Sequence, residues 1–79
     1  MQQSEINNII EALLFAAREP LTQTQINNVF EPETYNLDEI VILLNKQYTS
    51  NKNSFVINKV AGGYQIVSKE EYNHYISKV

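Results

Sequence analysis

Val60-Ala61-Gly62-Gly63-Tyr64-Gln65-Ile66-Val67-Ser68-Lys69 holds both glycines of the chain. The pair follows one β-prone run, Phe55-Val56-Ile57, and stands directly before another, Tyr64 to Val67. Two short β-prone runs separated by Gly-Gly read as a hairpin, because glycine reaches the positive φ that tight hairpin turns require. Gly62 and Gly63 are therefore the predicted turn. Three helix-like segments precede the hairpin and one follows it. This order predicts an α+β fold of the winged-helix type, with the hairpin as the wing and the second and third helices as a helix-turn-helix-like pair.

The helices are legible from their spacing and caps. Ile6, Ile9, Ile10, Leu13, Leu14 and Ala17 follow the i, i+3, i+4, i+7 pattern of an amphipathic helix over Ser4–Ala17. Ser4 is its expected cap, and Arg18-Glu19-Pro20 ends it. Thr22 and Gln25 form a capping box for a short second helix carrying Ile26, Val29 and Phe30, which Pro32 stops. Asn36 and Glu39 repeat that grammar for a third helix with an inner stripe of Leu37, Ile40, Val41, Leu44 and Tyr48. Thr49 to Ser54 reads as a loop. A last helix is expected from Ser68, capped with Glu71, with Tyr72, Tyr75, Ile76 and Val79 on one face.

Seventy-nine residues make one small domain with a modest core. With no cysteine, disulfides and cysteine-ligated zinc are excluded, and a reducing compartment suits the chain. The longest apolar run, Ala12 to Ala17, is too short to span a bilayer. No charged n-region with an apolar core opens the chain, so it is not expected to be secreted. The net charge is −3, and Arg18, Lys46, Lys52, Lys59, Lys69 and Lys78 are scattered. A nucleic-acid binder draws affinity from clustered cations that neutralise phosphates, and no such cluster is present.

Two segments carry a resemblance. Ile10-Glu11-Ala12-Leu13-Leu14-Phe15-Ala16-Ala17-Arg18-Glu19-Pro20-Leu21 resembles the opening of segregation and condensation protein B. Val60-Ala61-Gly62-Gly63-Tyr64-Gln65-Ile66 resembles the wing of its first domain, and Lys69-Glu70-Glu71-Tyr72 the helix that follows. The resemblance runs in register from about Ile6 to the end of the chain. It implies two tandem winged-helix domains in the full protein, residues 1–79 being the first. It further implies a bacterial cytoplasmic, nucleoid-associated protein that joins a kleisin subunit, segregation and condensation protein A, to a structural-maintenance-of-chromosomes ATPase. That complex condenses and partitions the chromosome. The resemblance also implies a homodimer with much of the self-contact in the first domain, whereas the kleisin contact is associated most strongly with the second. Arg18 departs from the family's Ala-Gly-Glu-Pro pattern, and Ile42 and Leu43 stand where polar residues are expected.

No catalytic constellation, cofactor motif or metal set is found, so the expectation is a non-enzyme. His74 is the only histidine, with no cysteine to share a metal. Glu70 and Glu71 are adjacent in a helix and point about 100° apart. Gly62-Gly63 lacks the lysine and the following helix of a phosphate loop. The alternative, a winged-helix transcriptional regulator, would aim the N-terminal end of the third helix at base edges. That end carries Asp38 and Glu39, with Glu31 and Glu33 just upstream, so little or no direct DNA binding is expected. Partners should instead meet apolar residues that fall off the core stripes. Phe15 falls on the polar face of the first helix. Ile42 lies beside Asp38 and Thr49, Leu43 flanks the third stripe, and Tyr75 is on the last helix. These four are the candidate interface.

Overall fold

A computed structural model describes residues 1–79. Helix α1, Gln3–Ala16, is followed by α2, Gln23–Phe30, and α3, Leu37–Ser50. Strands β1, Phe55–Val60, and β2, Gly63–Ser68, form an antiparallel hairpin. A single 3-10 turn, Glu70–Tyr72, leads into a four-residue α4, Asn73–Ile76. The winged-helix expectation holds: α2 and α3 are the helix-turn-helix pair and the hairpin is the wing.

Helix α2 begins as its sequence dictates. The Thr22 side chain accepts from the Gln25 N–H at 3.2 Å, and the Gln25 side chain accepts from the Thr22 N–H at 2.9 Å. At α3 the Asn36 side chain accepts from the Glu39 N–H. Other starts differ from expectation. Helix α1 is preceded by Gln2, which makes no side-chain cap, and Ser4 lies inside the helix. There Gln3 donates to Asn7 across one turn, which satisfies a buried amide. The expected Ser68–Glu71 cap does not form. Ser68 is drawn into the strand opposite Phe55, and the Lys69 N–H donates to the Ser54 carbonyl, so the chain is still extended where a helix would have to start. Helix α3 also runs to Ser50, into the stretch expected to be loop.

One core joins these elements. Ile6, Ile10 and Leu14 enter it from α1, Ile26 and Phe30 from α2, and Ile57 from the wing. Helix α3 contributes Leu37, Ile40, Val41, Leu44 and Tyr48, the whole predicted stripe. Each fully buried aliphatic contributes about 1.5–3 kcal/mol. Val29, the third apolar residue of α2, is exposed: α2 is only eight residues long, and its i, i+4 pair Ile26 and Phe30 already fills the inward face.

The Gly-Gly pair divides its labour. Ala61 and Gly62 are the two central residues of the hairpin, with φ of 44° and 83°, and Val60 pairs with Gly63. Positive φ at both central positions is the type I′ signature. The turn is therefore Ala61-Gly62 rather than Gly62-Gly63. Gly63 is the first residue of β2 and serves close approach instead. A Cβ placed on it would lie 2.8 Å from the Leu21 carbonyl oxygen and 2.8 Å from the Pro20 Cβ. Beside it, Leu21 and Tyr64 exchange two backbone hydrogen bonds, of 2.8 and 2.9 Å. The segment leaving α1 thus joins the outer edge of the wing.

Replacing the two glycines separates these roles. Gly62 has open space around it, so Gly62→Ala should cost only the left-handed backbone penalty, about 1 kcal/mol. Gly63→Ala must push backbone away from backbone and disturb the Leu21–Tyr64 pair, so a loss of about 2–3 kcal/mol in urea unfolding is expected. Equal losses would show that Gly63 is not a contact glycine.

Candidate protein interface

The wing is clasped to α3 at two levels. The Asn45 side chain donates to the Ile57 carbonyl and accepts from the Ile57 N–H, both at 2.9 Å. An amide side chain thereby takes the place of a neighbouring strand on the free edge of β1. Two turns earlier the Tyr64 hydroxyl donates to Asp38. That bond, more than burial or the Asp38 charge, raises the Tyr64 phenol above its ordinary pKa. The Lys59 ammonium lies 5.9 Å from the centre of the Tyr64 ring. Gln23 ties the other side: its amide donates to the Tyr35 carbonyl and accepts from the Leu37 N–H, an otherwise orphan donor of the first turn of α3. Gln23, Asn36, Asp38, Lys59, Gly62 and Tyr64 all line the cleft between the helix pair and the wing.

At the far end of the molecule three rings stack edge to face. Phe15 meets Phe55 at 5.5 Å, and Phe55 meets Tyr48 at 4.7 Å. The Tyr48 hydroxyl donates to Glu11. Burial, then that hydrogen bond, then the Glu11 charge push the Tyr48 phenol well above 10.0. Glu11 and Phe15, one turn apart on α1, therefore both face α3 and β1, and that side of α1 is not wholly a solvent face. Phe15 leans on Phe55.

The four candidate residues are all exposed: Phe15 57%, Ile42 66%, Leu43 41% and Tyr75 67%. The structure does not gather them into one patch. Phe15 caps the aromatic end. Ile42 lies on the wing side of α3, between Asp38 and Asn45. Leu43 lines a shallow groove on the other flank with Gln3, Tyr35 and Ile40. Tyr75 sits on α4 against His74, ring centres 5.4 Å apart. Tyr72, Ile76 and Val79 are exposed beside it, so no residue of α4 is buried. Asn45 and Gln23, the two amides that hold the domain together, carry no signal in the sequence, since an amide within a helix has no pattern that names a distant backbone partner.

No group of three or more His, Cys, Asp or Glu side chains is placed to hold a metal ion. No helix is long and apolar enough to cross a membrane.

Residues 8–79 match the sequence model of the family described as segregation and condensation complex subunit ScpB. Segregation and condensation protein B of Clostridium tetani is 33% identical over 72 residues, which are 91% of this chain and 38% of that relative. The chain spans less than half the length of the curated relatives it matches. Among solved structures, a dimer of an ScpB N-terminal domain complexed with a ScpA peptide superposes with a TM-score of 0.77 at 26% identity, covering 92% of this chain and 85% of that one. ScpB from Mycobacterium tuberculosis has the same fold, with a TM-score of 0.84 at 18% identity over 99% of this chain and 49% of that one.

The two clasps give distinct expectations. Asn45→Ala leaves the Ile57 N–H and carbonyl without partners, and a loss of about 1–3 kcal/mol is expected. The Tyr48 phenol is raised in the folded state, so its stabilisation is whole below pH 10 and is lost as pH rises further. The urea midpoint should therefore stay level from neutral pH to about 9 and fall above 10, and Tyr48→Phe should be weaker at neutral pH with a shallower alkaline fall. An equal alkaline fall in the variant would remove Tyr48 as its cause.

Proposed function

This chain belongs to the ScpB family of segregation and condensation complex subunits, and from that premise we propose that it is the first of two winged-helix domains of a non-catalytic subunit. In this reading the domain chiefly dimerises. The whole protein, cytoplasmic and associated with the nucleoid, joins segregation and condensation protein A, the kleisin, to an SMC ATPase. The observation that carries the reading is the likeness to the solved dimer of an ScpB N-terminal domain bound to a ScpA peptide, which extends over most of both chains. The second domain is supported by the relatives, all of which continue well beyond the matched length.

The surface agrees with a protein-contact role. Phe15, Ile42, Leu43 and Tyr75 are the proposed contact residues, since large apolar side chains in the open are well suited to interface centres. The winged-helix fold is also used to read DNA. Here the first turn of α3 offers Asp38 and Glu39, both exposed, with the exposed Glu31 and Glu33 just upstream in the chain. Four carboxylates would face phosphates where a DNA reader places cations. Direct DNA binding is therefore assigned little or no part.

Light scattering coupled to gel filtration tests dimerisation. A dimer is expected at about 200 µM, within the range of weak but specific interfaces; a monomer at that concentration overturns the reading. Phe15→Glu should move the equilibrium toward monomer while leaving the thermal transition within a few degrees, because the ring is more than half exposed. A variant that unfolds would instead assign Phe15 to the fold through its contact with Phe55.

A further inference from the structure

Opposite its core stripe, α3 carries a strip that lies open to solvent. At about 100° per residue, Leu37, Val41, Leu44 and Tyr48 turn inward while Glu39, Ile42, Leu43 and Lys46 turn away. All four of these outward residues are exposed. They stand at i, i+3, i+4 and i+7, the corners of the hole that receives a side chain when helices pack knobs into holes. The apolar pair forms the middle of the set and the charges form its ends. Leu43 walls two shallow grooves, one also lined by Glu39 and the other by Lys46. Neither charge has an opposite charge three or four residues away on α3. The helix that carries the set is held in place, since Asp38 and Asn45 are both bonded to the wing.

Read backwards, the set is its own complement. A two-fold axis between Ile42 and Leu43 places Glu39 opposite the partner's Lys46, and Ile42 opposite the partner's Leu43. The same pairs recur on the other side of the axis, as an isologous contact requires. A parallel arrangement would set Glu39 against the partner's Glu39 and Lys46 against the partner's Lys46, and like charges in contact are costly. Charge therefore selects both the occupant and its direction, because a second copy carries the reversed order by necessity. A nucleic acid would meet one cation, one carboxylate and two apolar side chains there, a poor match for phosphates.

We infer that the outward strip of α3 is the two-fold contact of this domain. Helix α3 packs antiparallel on α3 of the partner, Ile42 and Leu43 interdigitate at the axis, and Glu39 and Lys46 pair across it at both ends. The proposed dimerisation is the premise; the face, direction and register are what α3 adds to it. A winged-helix DNA reader lays this same helix in the major groove, so the dimer covers the face that DNA would need.

Sedimentation equilibrium of the wild-type chain, Glu39→Lys, Lys46→Glu, an equimolar mixture of those two variants, and the double variant Glu39→Lys/Lys46→Glu tests the contact. About 0.15 M salt screens charges more than about 8 Å apart and leaves the contact pairs in view. Both positions are exposed, so urea midpoints should stay near wild type. Each single reversal sets like charges together at both ends and should weaken self-association about tenfold or more. In the mixture the lysines of one variant meet the glutamates of the other, so a heterodimer should form with near-wild-type affinity. The double variant restores both pairs within one sequence and should dimerise as wild type does, which also shows that neither substitution unfolds the chain. A wild-type chain that stays monomeric at about 200 µM overturns the proposed dimerisation and the inference with it. A dimer that survives both single reversals overturns the inference and leaves the dimerisation standing, as does a dimer lost in Phe15→Glu alone. Loss in the single reversals without recovery in the mixture and the double variant overturns the antiparallel register.

Discussion

The fold depends on the approach of one backbone to another at Gly63. The chain leaving α1 through Pro20 meets β2 so closely that no Cβ fits between them. The approach is sealed by the paired hydrogen bonds of Leu21 and Tyr64. An isolated two-stranded hairpin is marginal in water. This one becomes part of the domain because Leu21 adds a third short segment to its outer edge and is itself buried in the core. Leu21 is also the residue before the Thr22 cap of α2. A single contact therefore sets both where the wing lies and where the helix-turn-helix begins.

The opposite edge of the wing is closed by a different device. Asn45 occupies the outward-facing groups of Ile57, so β1 has no open edge at its centre. Tyr64 then serves both sides. Its backbone pairs with Leu21, and its hydroxyl reaches Asp38 at the start of α3. The wing is held to the helices from three directions, as a structural edge rather than a free finger. A rigid face with exposed apolar residues suits a scaffold that must present the same surface to successive partners. This is the sense in which the geometry supports the proposed role within a chromosome-condensation complex.

How much of this was legible in the sequence depends on the range of the interactions. The α2 capping box and the five-residue stripe of α3 are local patterns, and both stand as read; of the Asn36–Glu39 pair only the Asn36 half of the box forms. The hairpin was legible as a hairpin, but its turn lies one residue earlier, because Ala61 accepts a left-handed φ that glycine was expected to supply. The last helix was overextended: Ser68 looks like a cap in isolation, yet pairing with Phe55 continues the strand through it. Phe15 was placed on a polar face by helical geometry alone. The wheel could not show that Phe55, forty residues later, provides a ring beneath it. Gln23 and Asn45 were invisible for the same reason, since their partners are backbone groups brought close only by the fold. The two longer segments that carried the family resemblance, Ile10 to Leu21 and Val60 to Ile66, are the ones that meet where Pro20-Leu21 packs on Gly63-Tyr64.

Native-state amide hydrogen exchange tests the central claim, that the Leu21–Tyr64 pairing locks the wing into the fold. The account predicts that the amides of Leu21, Tyr64 and Ile57 exchange only through global unfolding, with the same protection as the buried helical amides of Ile10 and Leu44. Rapid exchange of Leu21 and Tyr64 while Ile10 and Leu44 remain protected would show a wing that opens on its own, and would contradict the account.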